Sequence, residues 1–181
     1  MRIEEIIYYI GQALGIIAPA LGILSYQMKT PKKILLLQLI NSLVFCAHYL
    51  MIGAITGMTL NFVGACRNLV FYGRNLRGSK GKAAPIIFTV ITAVVGILTW
   101  NGWYSIFIFL GMVIHAFCMS FSNAQNIRKS ILITSPLVII YDIFTLSIGG
   151  IVYETIAIVS CVIGIIRHCE KKNLSQNTET K

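Results

Sequence analysis

The sequence is short of charge. Only 12% of its 181 residues are Asp, Glu, Lys or Arg, and the acidic ones number six. An ordinary soluble domain carries about 25% charged residues. A folded chain of this size exposes too much surface to be covered by so few. Proline is scarce, with four residues, and 56% of the chain is apolar, which excludes disorder. The five cysteines, Cys46, Cys66, Cys118, Cys161 and Cys169, show no Cys-x-x-Cys spacing, and four of them lie inside apolar runs. They read as small buried hydrophobes, neither a disulfide framework nor a zinc site. The three histidines stand far apart, and Gly-x-Ser-x-Gly, His-Glu-x-x-His and phosphate-binding glycine loops are all missing. An enzyme, a bound cofactor and a metal site are therefore not expected. Met-Arg-Ile-Glu-Glu at the start lacks the positive stretch and cleavage site of a secretory signal, so the first apolar run is expected to stay in the mature protein.

What is present is apolar sequence in long runs. A mean hydropathy of +0.78 belongs to a polytopic membrane protein. A bilayer core about 30 Å thick needs roughly 17–25 apolar residues per helix. Seven runs qualify: Ile6–Gln27, Ile34–Ile52, Ile55–Tyr72, Ala83–Trp100, Trp103–Ser122, Ser130–Ser147 and Ile151–Arg167. Lys29-Thr30-Pro31, Gly53, the segment Arg74–Lys82, Asn101-Gly102 and Gly149-Gly150 carry turn chemistry between runs. The tail after Glu170 is polar and reads as disordered.

The basic residues set an orientation. Lys29, Lys32 and Lys33 follow the first run. Arg74, Arg77, Lys80 and Lys82 follow the third, Arg128 and Lys129 the fifth, and Arg167, Lys171, Lys172 and Lys181 the seventh. These are thirteen of the 15 basic residues, and only Arg2 and Arg67 fall elsewhere. Cytoplasmic loops concentrate Lys and Arg, so the N-terminus is expected outside and the C-terminus inside. The net charge of +9 then reflects topology and attraction to anionic lipid, not nucleic-acid binding.

Shifting the sequence by 96 residues lays Ile7–Tyr72 on Trp103–His168 with no gap. Thirteen of sixty-six pairs are identical, among them Gly15/Gly111, Lys33/Lys129, Gly53/Gly149 and Thr59/Thr155. Runs one to three fall on runs five to seven, and the fourth has no partner. The expected fold is all-α, with seven transmembrane helices in a 3+1+3 plan. Residues 1–74 form a first three-helix repeat, and 75–102 a basic loop and linker helix. Residues 103–169 form the second repeat, and 170–181 a cytoplasmic tail. A one-span linker returns the second unit to the same direction, giving parallel repeats about an axis along the membrane normal.

This plan resembles the SWEET and PQ-loop transporter superfamily. Three passages are most similar to the YgjV-like family of bacterial inner-membrane proteins. They are Gly15-Ile-Ile-Ala with Gly22-Ile-Leu-Ser-Tyr-Gln27, then Gly53–Asn61 continuing to Arg67-Asn68-Leu69, and Ser147-Ile-Gly-Gly150 with Glu154 and Ile165-Ile-Arg167. The Pro-Gln dipeptide that names the wider superfamily is absent, and Tyr26-Gln27 stands near its place. The resemblance implies a multi-pass protein of the bacterial inner membrane and, through SWEET-like carriers, a solute contact at Asn61.

Polar groups inside spans are functional candidates. Asn61, Gly64, Ala65 and Asn68 share one face of the third helix. Gln38, Asn41 and His48 share a face of the second. They read either as solute ligands, with Asn61 supported by Asn41, His48 and Asn68, or as interhelical hydrogen-bonding groups. Asp142, Glu154 and Arg67 are candidates for charge or proton coupling. Arg67 and Asp142 differ in depth by roughly 8–9 Å, so an ion pair requires the arginine arm to reach outward. Pro19 and Pro136 interrupt helices and could serve as hinges. Gly11/Gly15 and Gly53/Gly57 are small-xxx-small pairs suited to close helix contact. The expected function is a carrier of a small polar solute in the lipid bilayer, working by alternating access between two bundles. The alternative is a non-transporting assembly partner or sensor. An intramembrane enzyme would need His48, His115 and Asp142 to converge. Both repeats lie in one chain, so an oligomer is allowed but not required.

Overall fold

In the computed structural model the chain is all-helical across the described residues, which are 3–28, 30–78, 83–118 and 124–179. Seven helices follow in order: α1 Ile3–Gln27, α2 Pro31–Met51, α3 Ile55–Leu76, α4 Ala83–Leu98, α5 Ser105–Cys118, α6 Ala124–Phe144 and α7 Ile148–Glu179. Of the residues used above for orientation, Arg2, Lys29, Lys80, Lys82, Lys181 and the side chains of Arg128, Arg167, Lys171 and Lys172 lie outside the described set, as does the end of the fifth run, 119–122.

Local chemistry sets the boundaries. Thr30 is extended at φ −104° and Pro31 occupies the first turn of α2, where a missing N–H costs nothing. Gly53, at φ +76°, turns the chain between α2 and α3, a conformation that favours glycine. Gly102, at φ +87°, turns it between α4 and α5.

Two expectations are corrected. Gly149 and Gly150 do not form a turn. The bend falls earlier, at Thr145–Ser147 with Leu146 at φ 53°, and both glycines lie inside α7. The cause is packing. A Cβ on Gly149 would fall on the Gly15 backbone, and one on Gly150 would fall on the Asp142 carboxyl and Ser147 Oγ. The polar tail is also not irregular, since the α7 backbone stays helical to Glu179. Nothing after Gly164 in the sequence, neither proline nor glycine, breaks it.

The helices pack as a ring in chain order. α1 lies against α2, α2 against α3, α3 against α5, α5 against α6, α6 against α7, and α7 closes on α1. α4 lies beside α3 and α5. The seam between α1 and α7 brings backbone against backbone. Gly15 meets Gly149 backbone to backbone, and Gly22 faces the Tyr153 ring. Gln12 stitches the same seam, donating from Nε2 to the Leu146 carbonyl (2.8 Å) and accepting the Ile148 N–H (3.2 Å).

Sidedness of burial is inverted relative to a soluble bundle. Among the described residues, the interior holds eighteen apolar and seventeen polar side chains, including Arg67 and Asp142. The exposed face is covered by large apolar groups such as Ile17, Leu43, Phe62, Ile97, Ile133 and Val159. Such a surface is stable against lipid and not against water. Three helical segments, Ile3–Ser25, Lys32–Met51 and Ile148–Ile166, are long and apolar enough to cross a membrane outright. α4 and the described part of α5 are shorter apolar helices. The sixteen residues of α4 reach about 24 Å.

The seam gives a direct test. Gly149→Val should destabilise the fold by about 1–3 kcal/mol or more, because backbone cannot yield as a side chain can. Gly73 has nothing within 4 Å of its would-be Cβ, so Gly73→Ala should be neutral or slightly stabilising. Thermal unfolding of the detergent-solubilised protein, followed by tryptophan fluorescence, compares the two.

Candidate functional site

A cavity of about 80 Å3 lies inside the ring at mid-length of the helices. One water needs about 10–15 Å3 on such a measure, so the space holds more than a single water. Its walls come from five helices. α2 contributes Gln38, Asn41, Ser42, Phe45 and Tyr49, and α3 contributes Asn61, Gly64, Arg67 and Asn68. α5 adds Gly111, Met112 and His115, and α6 adds Ile131, Thr134, Ser135 and Val138. α7 adds Gly150, Tyr153 and Glu154.

Helical spacing explains the convergence. Asn61, Gly64 and Asn68 repeat at three, four and seven on α3, so they share one face. Gln38, Asn41, Ser42, Phe45 and Tyr49 do the same on α2. Gly64 keeps the α3 wall open, since its would-be Cβ meets only Ser42 Oγ and the Arg67 guanidinium, both at 3.8 Å. Asn68 donates to Ser42 Oγ across the α2–α3 contact (3.4 Å). Asn61 donates from Nδ2 to the Gly57 carbonyl of its own helix (2.9 Å).

At the end of the cavity away from the basic loops, a hydrogen-bonded cap joins α2 to α6 and α7. Tyr49 donates its hydroxyl to Asp142 Oδ1 at 2.6 Å. Asp142 is fully buried, and its Oδ2 lies against Gly150 with no hydrogen-bond partner. Beside Tyr49, His48 is held between the Gly11 carbonyl (Nδ1, 2.8 Å) and Ser147 Oγ (Nε2, 2.7 Å). Ser147 Oγ also accepts the Gly150 N–H (3.1 Å). Tyr141 completes the layer by accepting the Gly57 N–H in the first turn of α3 (3.0 Å), a donor with no partner inside its own helix.

The sequence candidates therefore divide. Asn41, Asn61, Asn68, Arg67 and Glu154 line the cavity. His48 does not line it, and both its ring nitrogens are engaged in the cap. Asp142 belongs to the cap and is not joined to Arg67, whose hydrogen bonds among the described residues go to Asn68 Oδ1. His115 stands apart from His48 and Asp142, bonded to Ser130 Oγ (3.2 Å). Pro19 and Pro136 lie inside α1 and α6. Among the described residues no three His, Cys, Asp or Glu side chains cluster as a metal site would require. Sequence reasoning missed Tyr49, Ser135, Ser147 and Tyr141. Tyr49 had the only usable signal, a hydroxyl adjoining His48 deep in an apolar run.

These observations describe a lipid-exposed helical ring with a polar interior, and comparison with known families agrees. A family model described as a bacterial inner membrane protein, Imp-YgjV, matches residues 9–172. The chain belongs to this family. The match to Imp-YgjV runs from within α1 to within α7, so it takes in the cavity and the cap together. No curated protein and no solved structure matches the chain.

The cap predicts a coupled loss. Tyr49→Phe removes the hydroxyl that Asp142 Oδ1 accepts and should cost about 1–3 kcal/mol. Asp142→Ala should cost a comparable amount. The double variant should lose clearly less than the sum, because the two groups share one bond. Thermal melts of the three variants measure that coupling.

Proposed function

We propose that the protein is a carrier of a small polar solute, working by alternating access across the bacterial inner membrane. On this reading all seven helices cross the bilayer. α1–α3 and α5–α7 are parallel repeats, and α4 is the linker, as in the SWEET and PQ-loop plan. The neighbour pattern supports the repeat. Exchanging α1–α3 for α5–α7 carries the α3–α5 contact onto α7–α1, and both contacts exist.

The observation that carries the reading is the cavity at mid-length, lined by polar side chains from α2 and α3 on one side and α5, α6 and α7 on the other. Secondary carriers place their solute at such a repeat interface. The positive-inside rule places the basic end in the cytoplasm. The Tyr49–Asp142 and His48–Ser147 bonds then close the outward side. They cross from one repeat to the other, so they must break for the outward side to open. Neither reaches lipid or requires a second copy. The lipid bilayer and the solute are the partners this reading requires, and it assigns no enzymatic step, cofactor or nucleic acid.

The competing role, an assembly partner or sensor with no open pathway, treats the same polar groups as interhelical contacts. A cross-link separates the two. Cysteines at Gln12 and Leu146, in a background lacking the native cysteines, would bridge α1 to the α6–α7 turn. In proteoliposomes, oxidation should abolish uptake of a transported solute and reduction should restore it. Asn61→Ala should lower uptake at least several-fold. Uptake unchanged by the closed cross-link would refute alternating access, and no uptake across a panel of small polar solutes would favour the non-transporting role.

A further inference from the structure

The charges inside the cavity narrow the solute. Arg67 is 4% exposed, and among the described residues its guanidinium bonds to Asn68 Oδ1, at 3.4 Å from both Nε and Nη2. A guanidinium has five donors in a rigid fork, so most of its capacity is unspent. Glu154 lines the same cavity from α7, and the two are not joined as an ion pair. Arg67 is buried and Glu154 half-buried, and a charge withdrawn from water without a counter-charge is costly. Both costs would be relieved together by one ligand carrying both signs.

A second observation points the same way. Among the described residues, four buried side-chain atoms have no hydrogen-bond partner: Gln38 Oε1, Asn41 Oδ1, Ser135 Oγ and Asp142 Oδ2. The first three belong to residues that line this cavity. Unsatisfied buried polar atoms are few in native folds, and each calls for a partner. Here two amide oxygens offer acceptors to a ligand N–H, and the serine hydroxyl can serve either role.

We infer that the cavity is a site for a small zwitterion bearing one carboxylate and one ammonium group. Arg67 takes the carboxylate. Glu154, with the amide oxygens of Gln38 and Asn41, takes the ammonium. A simple anion would leave Glu154 uncompensated and facing like charge. A simple cation would leave Arg67 so, and a neutral polyol would leave both. The volume of about 80 Å3 sits below the ~300 Å3 at which drug-sized pockets begin, so the ligand has few heavy atoms. The inference rests on the carrier reading only for its biological use, not for binding itself.

The test uses the full chain in detergent and four probes of similar size: alanine as zwitterion, propionate as anion, isopropylammonium as cation and glycerol as neutral solute. Alanine, or another small zwitterion among glycine, serine and β-alanine, should raise the melting temperature in a saturable way. The three other probes should not do so at equal concentration. Arg67→Gln and Glu154→Gln should each weaken that response at least tenfold while the ligand-free protein still melts cooperatively. Arg67→Lys, which keeps the charge and loses the fork, should retain part of it. The wild-type panel alone decides the matter if a variant fails to fold. A response to propionate equal to that of the zwitterions, or no response to any zwitterion, overturns the inference. Zwitterion binding without uptake in proteoliposomes would leave the site standing and remove the carrier role. Uptake of glycerol or propionate that depends on Asn61, without zwitterion binding, would do the reverse.

Discussion

The ring depends on the backbone contact between Gly15 and Gly149. α1 and α7 are the first and last helices, and they can only meet if nothing stands between them. Two glycines placed face to face provide that, and Gly22 admits the Tyr153 ring one step further along. Close approach brings Gln12 within reach of Leu146 and Ile148. With the ring closed, the polar faces of α2, α3, α6 and α7 have one interior to share. In lipid, an unpaired backbone or side-chain polar group finds no water to satisfy it, so these groups collect where they can pair with one another.

Among the described residues, the interior divides into a layer satisfied but for Asp142 Oδ2 and a cavity layer with three such unpaired atoms. In the cap, His48 has both nitrogens engaged, Ser147 bridges two neighbours, and Tyr49 and Asp142 bond to each other. A network of this kind is rigid when complete and costly when broken. In the cavity, among the described residues, a guanidinium has most donors unspent and three side chains have an unpaired atom. That contrast separates structural polar groups from candidate ligands better than polarity alone. It places His48 and Asp142 on the structural side and Arg67 and Gln38 on the other.

Much of the fold was legible because a bilayer imposes a simple rule on sequence. Apolar runs of near-fixed length gave the helices, and Thr30-Pro31 and Gly53 gave boundaries the structure keeps. Gly149-Gly150 misled because glycine signals either a turn or a close contact, and which applies depends on what lies opposite. Asn61 with Asn68 on α3, and Gln38 with Asn41 on α2, were readable as two polar faces, since helical spacing aligns the members of each. Tyr49 and Ser135 were not, because a hydroxyl in an apolar helix has no local sign of whether it points to lipid, to a neighbour or to a void.

The sequence by itself determined that this is a lipid-embedded helical protein, where its helices run, and that its basic residues gather in alternate loops. Each follows from composition and spacing within a single segment. Tertiary structure decided which polar residues share a cavity, that His48 and Asp142 are bonded into a cap, and that Arg67 pairs with no carboxylate among the described residues. Those outcomes depend on which faces of α2, α3, α6 and α7 meet across distances of about a hundred residues. Helix-to-helix packing sets that, and periodicity along one helix cannot.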